Sequence, residues 1–475
     1  MQRESHAIII GGSLAGLLAS RVLAKHFDRV SIVEQDFLPE KPAPRPGIPQ
    51  SCHLHILLNR GKIILEEFFP GLEKELVAAG APSLDPRSIG WFSPAGWAPQ
   101  FSPDLNDLIM FSRDLLDWQI RRRLAENTNV HFLEGGKVTG LLTNASRAEV
   151  TGVSVRFCDR HNPGNIHAEN LYAELVVDAG GKVSKTPKWL KSRGWEPPQE
   201  TAIKAFVGYA SRIYKCSAKL SDTAPVFVSP APPFRTRGGG IFPIEGNRWL
   251  VGLAGGDRDY PPADEAGFLE FARSLPTPTI YDAIKDAEAI TPVYSYRGTE
   301  NRLRHYERLP RYPENLIIIG HAVCAFNPVY GQGMTVAALD AQMLDKCLQK
   351  QRERYPEGNL TGFARQFQQK LAKLHTIPWT FAISQDSRYP GSEGAKLNLP
   401  TRLTIDYMDL VLKVLVSDAK VCQTFFEVLH MIESPAVLFH PSIAVKAIGQ
   451  LVTVVLKEAN FAKTNRQKAF GRAQN

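Results

Sequence analysis

The sequence predicts an α/β fold: a Rossmann-like domain, interrupted by an inserted antiparallel β-sheet domain and followed by a C-terminal helical region. Three observations predict it. The chain opens on an apolar strand, a glycine turn, a helix and a second strand, HAIIIGGSLAGLLASRVLAKHFDRVSIVEQD. From about 186 to 300 the texture changes to short alternating runs such as AIKAFVGYASRIY, GGGIFPIEGNRWLVGLAG and TPVYSYRG, the pattern of antiparallel strands with one polar face. Beyond about 376, TRLTIDYMDLVLKVLVSDAKVCQTFFEVLHMI spaces its apolar residues for one face of a helix.

The opening unit carries the clearest chemistry. Its strand ends at Ile10, the helix runs from about Leu14 to Lys25, and the second strand ends near Glu34. Gly11 suits a tight turn, and Gly16 lets the helix pack against the strand. The helix start at Ser13, Leu14 and Ala15 offers free N–H groups and a positive dipole end to a pyrophosphate. Glu34 stands where an acidic side chain binds ribose hydroxyls, which favours FAD or NAD over a 2′-phosphorylated cofactor. Ser13 replaces the middle glycine of the usual G-x-G-x-x-G pattern and is small enough to keep the backbone near a phosphate.

Two later segments repeat the strand-to-loop pattern. AELVVDAGGKVSKTPKWL sets Asp178 at the end of an apolar strand, just before Gly180 and Gly181. NLIIIGHAVCAFNPVYGQGMT begins with a buried strand and ends in Gly331-Gln332-Gly333 ahead of a helix, bringing backbone close to something flat or anionic at a helix N-terminus. Three glycine-bearing loops at strand ends exceed what one NAD module requires and suit a single extended dinucleotide.

Composition narrows the classes. The 475 residues are 44% hydrophobic and 22% charged, which describes a multidomain globular chain and excludes a disordered or polytopic membrane protein. The net charge of +8 is spread along the chain, and RRRL at 121–124 lacks interleaved aromatics, so no nucleic-acid partner is expected. Six scattered cysteines without a CxxC pair fit a reduced, cytoplasmic setting, and MQRESHAIII leaves no room for a signal peptide. SPAVLFHPSIAVKAIGQLVTVVL is broken by His440, Pro441 and Lys446, so no transmembrane helix is expected, while peripheral contact with a membrane surface stays open. His53 and His55 lack a third ligand nearby, and no metal is expected.

These motifs, in this order over residues 1–345, resemble the class A FAD-dependent monooxygenases. GQGMTVAALDA is also similar to the squalene-epoxidase branch and to bacterial epoxidases and hydroxylases of polyketides or terpenoids. The resemblance implies an FAD-binding domain in three parts (1–75, 105–185 and 301–375). It also implies a substrate domain made of an insertion at 76–104 and the sheet at 186–300, and a helical region at 376–475. Gly11, Ser13, Gly16 and Glu34 would hold the ADP half of FAD, with Leu14 and Ala15 at the helix start. Arg113 matches the family's arginine beside the cofactor, and Asp178 the Asp of its central motif. Pro328, Gly331, Gln332, Gly333 and Met334 would lie along the flavin edge. Gly320 and His321 replace the usual Gly-Asp, and Lys182 the usual central arginine. Arg45, Gln50 and His53 fall in a cofactor-proximal loop, and Phe242, Pro243, Trp249, Tyr294 and Tyr296 are candidate substrate-lining residues.

The implied activity is NADPH- or NADH-driven transfer of oxygen from dioxygen to a lipophilic small molecule, by epoxidation or hydroxylation. No catalytic side chain is required, since the cofactor carries the hard chemistry. The alternatives are a reductase or saturase, a halogenase (whose WxWxIP motif is missing here), or a flavin-binding protein that has lost catalysis at His321.

Overall fold

The computed structural model describes residues 4–100, 107–162, 164–394 and 397–450. The last part of the predicted insertion (101–104) and the LVTVVL run with the rest of the predicted helical region (451–475) lie outside the described residues.

Five parallel strands form the central sheet, in the order Leu316–Ile318, Leu175–Asp178, His6–Ile10, Arg29–Val33 and Val130–Leu133. Apolar runs suit this position because both faces are covered; Ala7, Ile8, Ile9 and Val176 are fully buried. The helix Leu14–Leu23 follows the first strand and is itself buried nearly all round, since the helix Gly333–Arg354 packs on it. The sequence therefore shows no strong polar stripe there. The chain crosses to opposite sides of the His6–Ile10 strand, so the crevice at its carboxyl end is the expected place for a ligand.

A seven-stranded sheet faces this crevice, in the order Tyr294–Tyr296, Gly208–Lys215, Arg248–Gly255, Arg237–Ile244, Val226–Val228, Gly90–Ser93 and Gly96–Trp97. It is antiparallel except where Val226–Val228 meets Gly90–Ser93 in parallel. The hairpin between Ile244 and Arg248 turns through Gly246 (φ +73°) and Asn247 (φ +56°), two residue types that tolerate left-handed backbone. The single run AIKAFVGYASRIY divides at Phe206 into two strands of different sheets. Its first part, Glu200–Lys204, pairs with Asn301–Arg304 and not with the large sheet.

The helices expected beyond 376 are present, although the first begins earlier, at Phe363, and runs to Asp386. Leu399–Leu415 and Ala419–Leu429 follow and bury Val411, Leu415 and Cys422 in a small core of their own. No described helix is long and apolar enough to cross a membrane.

Candidate active site

A cavity of about 1120 Å³ runs from the glycine turn of the parallel sheet to the underside of the large antiparallel sheet. At its first end, Gly11 has φ +98°, and a Cβ there would stand 2.9 Å from the carbonyl oxygen of Ala179. The turn and the central loop thus touch backbone to backbone. A Cβ on Gly16 would lie 1.9 Å from the Gly11 carbonyl oxygen, which fixes glycine at the crossing of helix and turn. Gly16 does not line the cavity; its part is close packing. Ser13 is the N-cap, but its hydroxyl caps nothing, so the first N–H groups of the helix beside Leu14 and Ala15 stay available to an anion.

Glu34 lines the cavity with both oxygens partly engaged. Oε2 accepts from the Gly12 N–H (2.7 Å) and Oε1 from the Asp36 N–H (3.0 Å). Arg45 lies behind this turn and does not line the cavity, which corrects its placement among the cofactor contacts. Its guanidinium donates to the Gly12 carbonyl (3.0 Å) and pairs with Glu34 (3.4 Å), Asp36 (3.9 Å) and Asp117 (3.8 Å). Charge complementarity among buried groups makes it a strut. Arg113, first residue of the helix Arg113–Ala125, does line the cavity and donates to Asp117 Oδ1 (2.7 Å) and Ser13 Oγ (3.2 Å).

Asp178 is 1% exposed and organises the central loop. It accepts from the Gly180 N–H (2.8 Å), the Thr186 hydroxyl (2.6 Å) and the Ser184 hydroxyl. Lys182 donates to the Gly298 carbonyl (2.7 Å) and pairs with Glu300 (3.7 Å), so it ties this loop to the sheet domain. The last loop rises at Gly320 (φ +59°), whose N–H is held by Asp340 Oδ2 at 2.9 Å. Asp340 also accepts from His375 Nε2 (2.7 Å), and both side chains are sealed from solvent. His321 follows with Nε2 buried and unpartnered, and burial together with the Arg113 and Lys182 charges pushes its pKa down to about 4. It is a neutral imidazole beside Gly333, whose added Cβ would meet Nε2 at 3.0 Å.

Pro328, Gly331, Gln332, Gly333 and Met334 all border the cavity. Gly331 is left-handed (φ +67°) and ends the 3₁₀ turn Pro328–Tyr330. Asp386 sets this loop from below: Oδ1 accepts from Asn327 Nδ2 (2.9 Å) and the Tyr330 hydroxyl, and Oδ2 from Asn301 Nδ2 (2.6 Å). Burial pushes the Asp386 carboxyl up from 3.8 to about 6. The folded state therefore binds this proton at higher pH than the unfolded chain, and the associated stability, about 3 kcal/mol in full, is lost as pH rises from about 4 to about 6. His53, His55, His321 and His430 work in the opposite sense, because burial lowers each from 6.5 to about 4 and their stability is lost on acidification. Asp386→Asn is expected to steepen the net loss of stability between about pH 6 and pH 4, read from urea midpoints against the parent. An unchanged slope would mean Asp386 is ionised throughout that range.

The sheet side contains fewer of the predicted residues than expected. Phe242 and Tyr296 line the cavity. Trp249 does not: it pairs with Pro243, and alternation turns both away from the face that Phe242 presents, so Trp249 packs with Tyr214 and Phe268 in a separate core. Tyr294, at the sheet edge, is 36% exposed and outside the cavity. Gln50, His53 and His55 border it, as do Tyr209, Ser211, Tyr330, Phe425 and His430, which sequence reasoning missed. Among the described residues no group of three or more His, Cys, Asp or Glu is placed to hold a metal ion.

These residues fit a flavin dinucleotide. The glycine cradle excludes side chains, the helix start is uncapped, and the buried Nε2 of His321 and Oε1 of Gln332 have no partner beside the last loop. The chain has the fold of the FAD-dependent monooxygenases, the class its motifs resemble. Solved structures with this fold include p-nitrophenol 4-monooxygenase from Pseudomonas putida (TM-score 0.63, 16% identity, 92% of this chain and 100% of that one). A triple mutant of the flavin-dependent brominase Bmp2 also shares it (TM-score 0.63, 16% identity, 94% and 99%). In sequence the chain is similar to Protein Rv3254 of Mycobacterium tuberculosis, 29% identical over 463 residues, 96% of this chain and 95% of that protein. It is also 26% identical over 369 residues to kynurenine 3-monooxygenase of Salinispora arenicola, 73% of each chain. No family model matches it.

Proposed function

We propose that this chain is an FAD-dependent monooxygenase that uses NADPH or NADH and dioxygen to hydroxylate or epoxidise a lipophilic small molecule. The observation that carries the reading is one continuous cavity joining the glycine cradle to a chamber walled by Leu54, Phe227, Phe242, Leu412 and Phe425. Gly11, Ser13, Leu14 and Ala15 would receive the pyrophosphate, and Glu34 the ribose. Arg113 braces the turn through Ser13. Gly320 and His321 would border the middle of the dinucleotide, and the helix start at Gly333 and Met334 favours negative charge on the flavin ring. Bound FAD would supply hydride acceptance and dioxygen activation. The protein's part is to exclude water and hold the substrate against the Pro328–Gly331 loop.

The test is the visible spectrum of the purified protein, followed by anaerobic NADPH or NADH and then air. A flavin spectrum that bleaches and recovers supports the reading, and substrate-dependent oxygen uptake separates a monooxygenase from a reductase. Absence of flavin after FAD has been supplied overturns it. His321→Asp is expected to retain at least as much FAD as the parent, because Arg113 and Lys182 favour a carboxylate there. A large loss in the absorbance ratio would show that the imidazole makes a required contact.

A further inference from the structure

The segment Ser51–Arg60 reaches from the nucleotide-binding domain to the large sheet, and the roles given so far leave its two histidines without work. Leu54 seats it. On the facing sheet, Gly240 and Gly252 present no side chains, and a Cβ on either would lie 3.1 Å from Leu54. Docking of Leu54 between these glycines aims His53, 4% exposed, at the strand Gly208–Lys215, where its Nδ1 lies 3.0 Å from Ser211 Oγ. Ser211 is 1% exposed, and among the described residues this is the hydrogen bond of its hydroxyl. A buried hydroxyl proton needs an acceptor, and Nδ1 is the one in reach, so the imidazole carries its proton on Nε2. Nε2 is bonded to no described residue and is not sealed among protein atoms, which leaves it to the cavity.

Two phenols complete the arrangement. The His53 ring stands edge-on to Tyr209 at 4.5 Å and 6.2 Å from Tyr296, and the two tyrosines are 5.4 Å apart. All three line the cavity. Burial raises the Tyr209 pKa beyond any working pH and also raises that of Tyr296, where Glu300 adds to the effect, so both phenols stay protonated. His53 is neutral for the same reason. Among the cations bordering the cavity, Arg113, Lys137, Lys182 and Lys185 belong to the nucleotide domain, and Arg87 pairs with Asp85. An anion brought to the three rings would lose its water without gaining a counter-charge.

We propose, on the monooxygenase reading above, that His53, Tyr209 and Tyr296 bind the single oxygen of an uncharged, otherwise apolar ring substrate, a carbonyl or a phenolic hydroxyl. The apolar walls take the rest of the ring system. This makes the triangle a selector against carboxylates and amino acids as well as an anchor that sets which edge of the substrate meets the cofactor loop.

The experiment titrates the FAD-loaded protein at neutral pH, by calorimetry, with 2-naphthol, naphthalene and 2-naphthoate, after flavin content has been measured by absorbance. The expected result is binding of 2-naphthol roughly tenfold more tightly than either of the others, about the worth of one buried hydrogen bond. His53→Leu should erase that preference, Tyr209→Phe should weaken it, and His53→Gln, which keeps an N–H donor, should retain most of it. Thermal melts of each variant show that the fold persists. The proposal is overturned if 2-naphthol binds no better than naphthalene, if 2-naphthoate binds as well, or if folded His53→Leu keeps the preference. Protein that discriminates the probes without holding flavin keeps this inference and overturns the monooxygenase reading. A flavoprotein that does not discriminate does the reverse.

Discussion

Gly16→Ala is expected to give a protein that holds no dinucleotide and unfolds far more easily than the parent. The new Cβ would stand 1.9 Å from the Gly11 carbonyl oxygen and 3.3 Å from the Ile9 side chain. Gly11 cannot retreat, since its own position faces the Ala179 backbone. Relief must come from moving the helix off the sheet, which costs about 3 kcal/mol in an over-packed core and carries the N–H groups of the helix start away from their ligand. Gly12→Ala is the matched control, because its Cβ would meet the Glu34 side chain at 3.1 Å, a neighbour able to shift. Guanidinium unfolding and flavin absorbance of the two variants decide the matter. Equal behaviour would show that the turn is softer than its geometry implies.

Asp340→Ala is expected to cost about 3–5 kcal/mol, the usual loss when one member of a buried ionisable pair is removed. The carboxylate is fully buried and serves His375 Nε2 and the Gly320 N–H together, and both would be stranded in the core. The loop carrying His321 would loosen with it. Replacing Asp340 and His375 together with leucine should recover part of the loss, because no imidazole is then stranded, while the Gly320 N–H still lacks its acceptor. Denaturant midpoints of the single and double variants give the coupling directly. Additive losses would mean that Asp340 acts through the Gly320 amide alone.

The fold was legible where local rules and tertiary demands agree. The opening strand, turn and helix could be bounded from HAIIIGGSLAGLL because Gly11 and Gly16 sit where backbone meets backbone, a constraint that leaves its mark in sequence. Alternation likewise located the hairpin Arg237–Ile244 and Arg248–Gly255. It does not say which face looks into a cavity, and for that reason Trp249 was placed on the wrong side. Arg45 was misplaced for a related reason: a basic residue in a loop near a phosphate site reads alike whether it faces the ligand or braces the turn from behind. Asp340 and Asp386 left a fainter signal, a lone acid within the apolar face of a long helix. Tyr209 and Ser211 left none, since their meaning depends on His53, more than 150 residues away in the chain.

The parallel sheet takes its five strands from residues 6 to 318, with five of the seven strands of the large sheet spliced between the fourth strand in the chain and the last, and the other two, Gly90–Ser93 and Gly96–Trp97, between the second and the third. During synthesis the strand Leu175–Asp178 therefore waits, with the edge that Leu316–Ile318 will cover unpaired, until about two thirds of the polypeptide has left the ribosome. Closing such distant pairings is slow, and open edges invite association with other chains. The strand that leads into the Gly320–Gly333 loop of the cofactor crevice is thus the last of the five to arrive, and fragments ending before residue 316 should accumulate as insoluble protein.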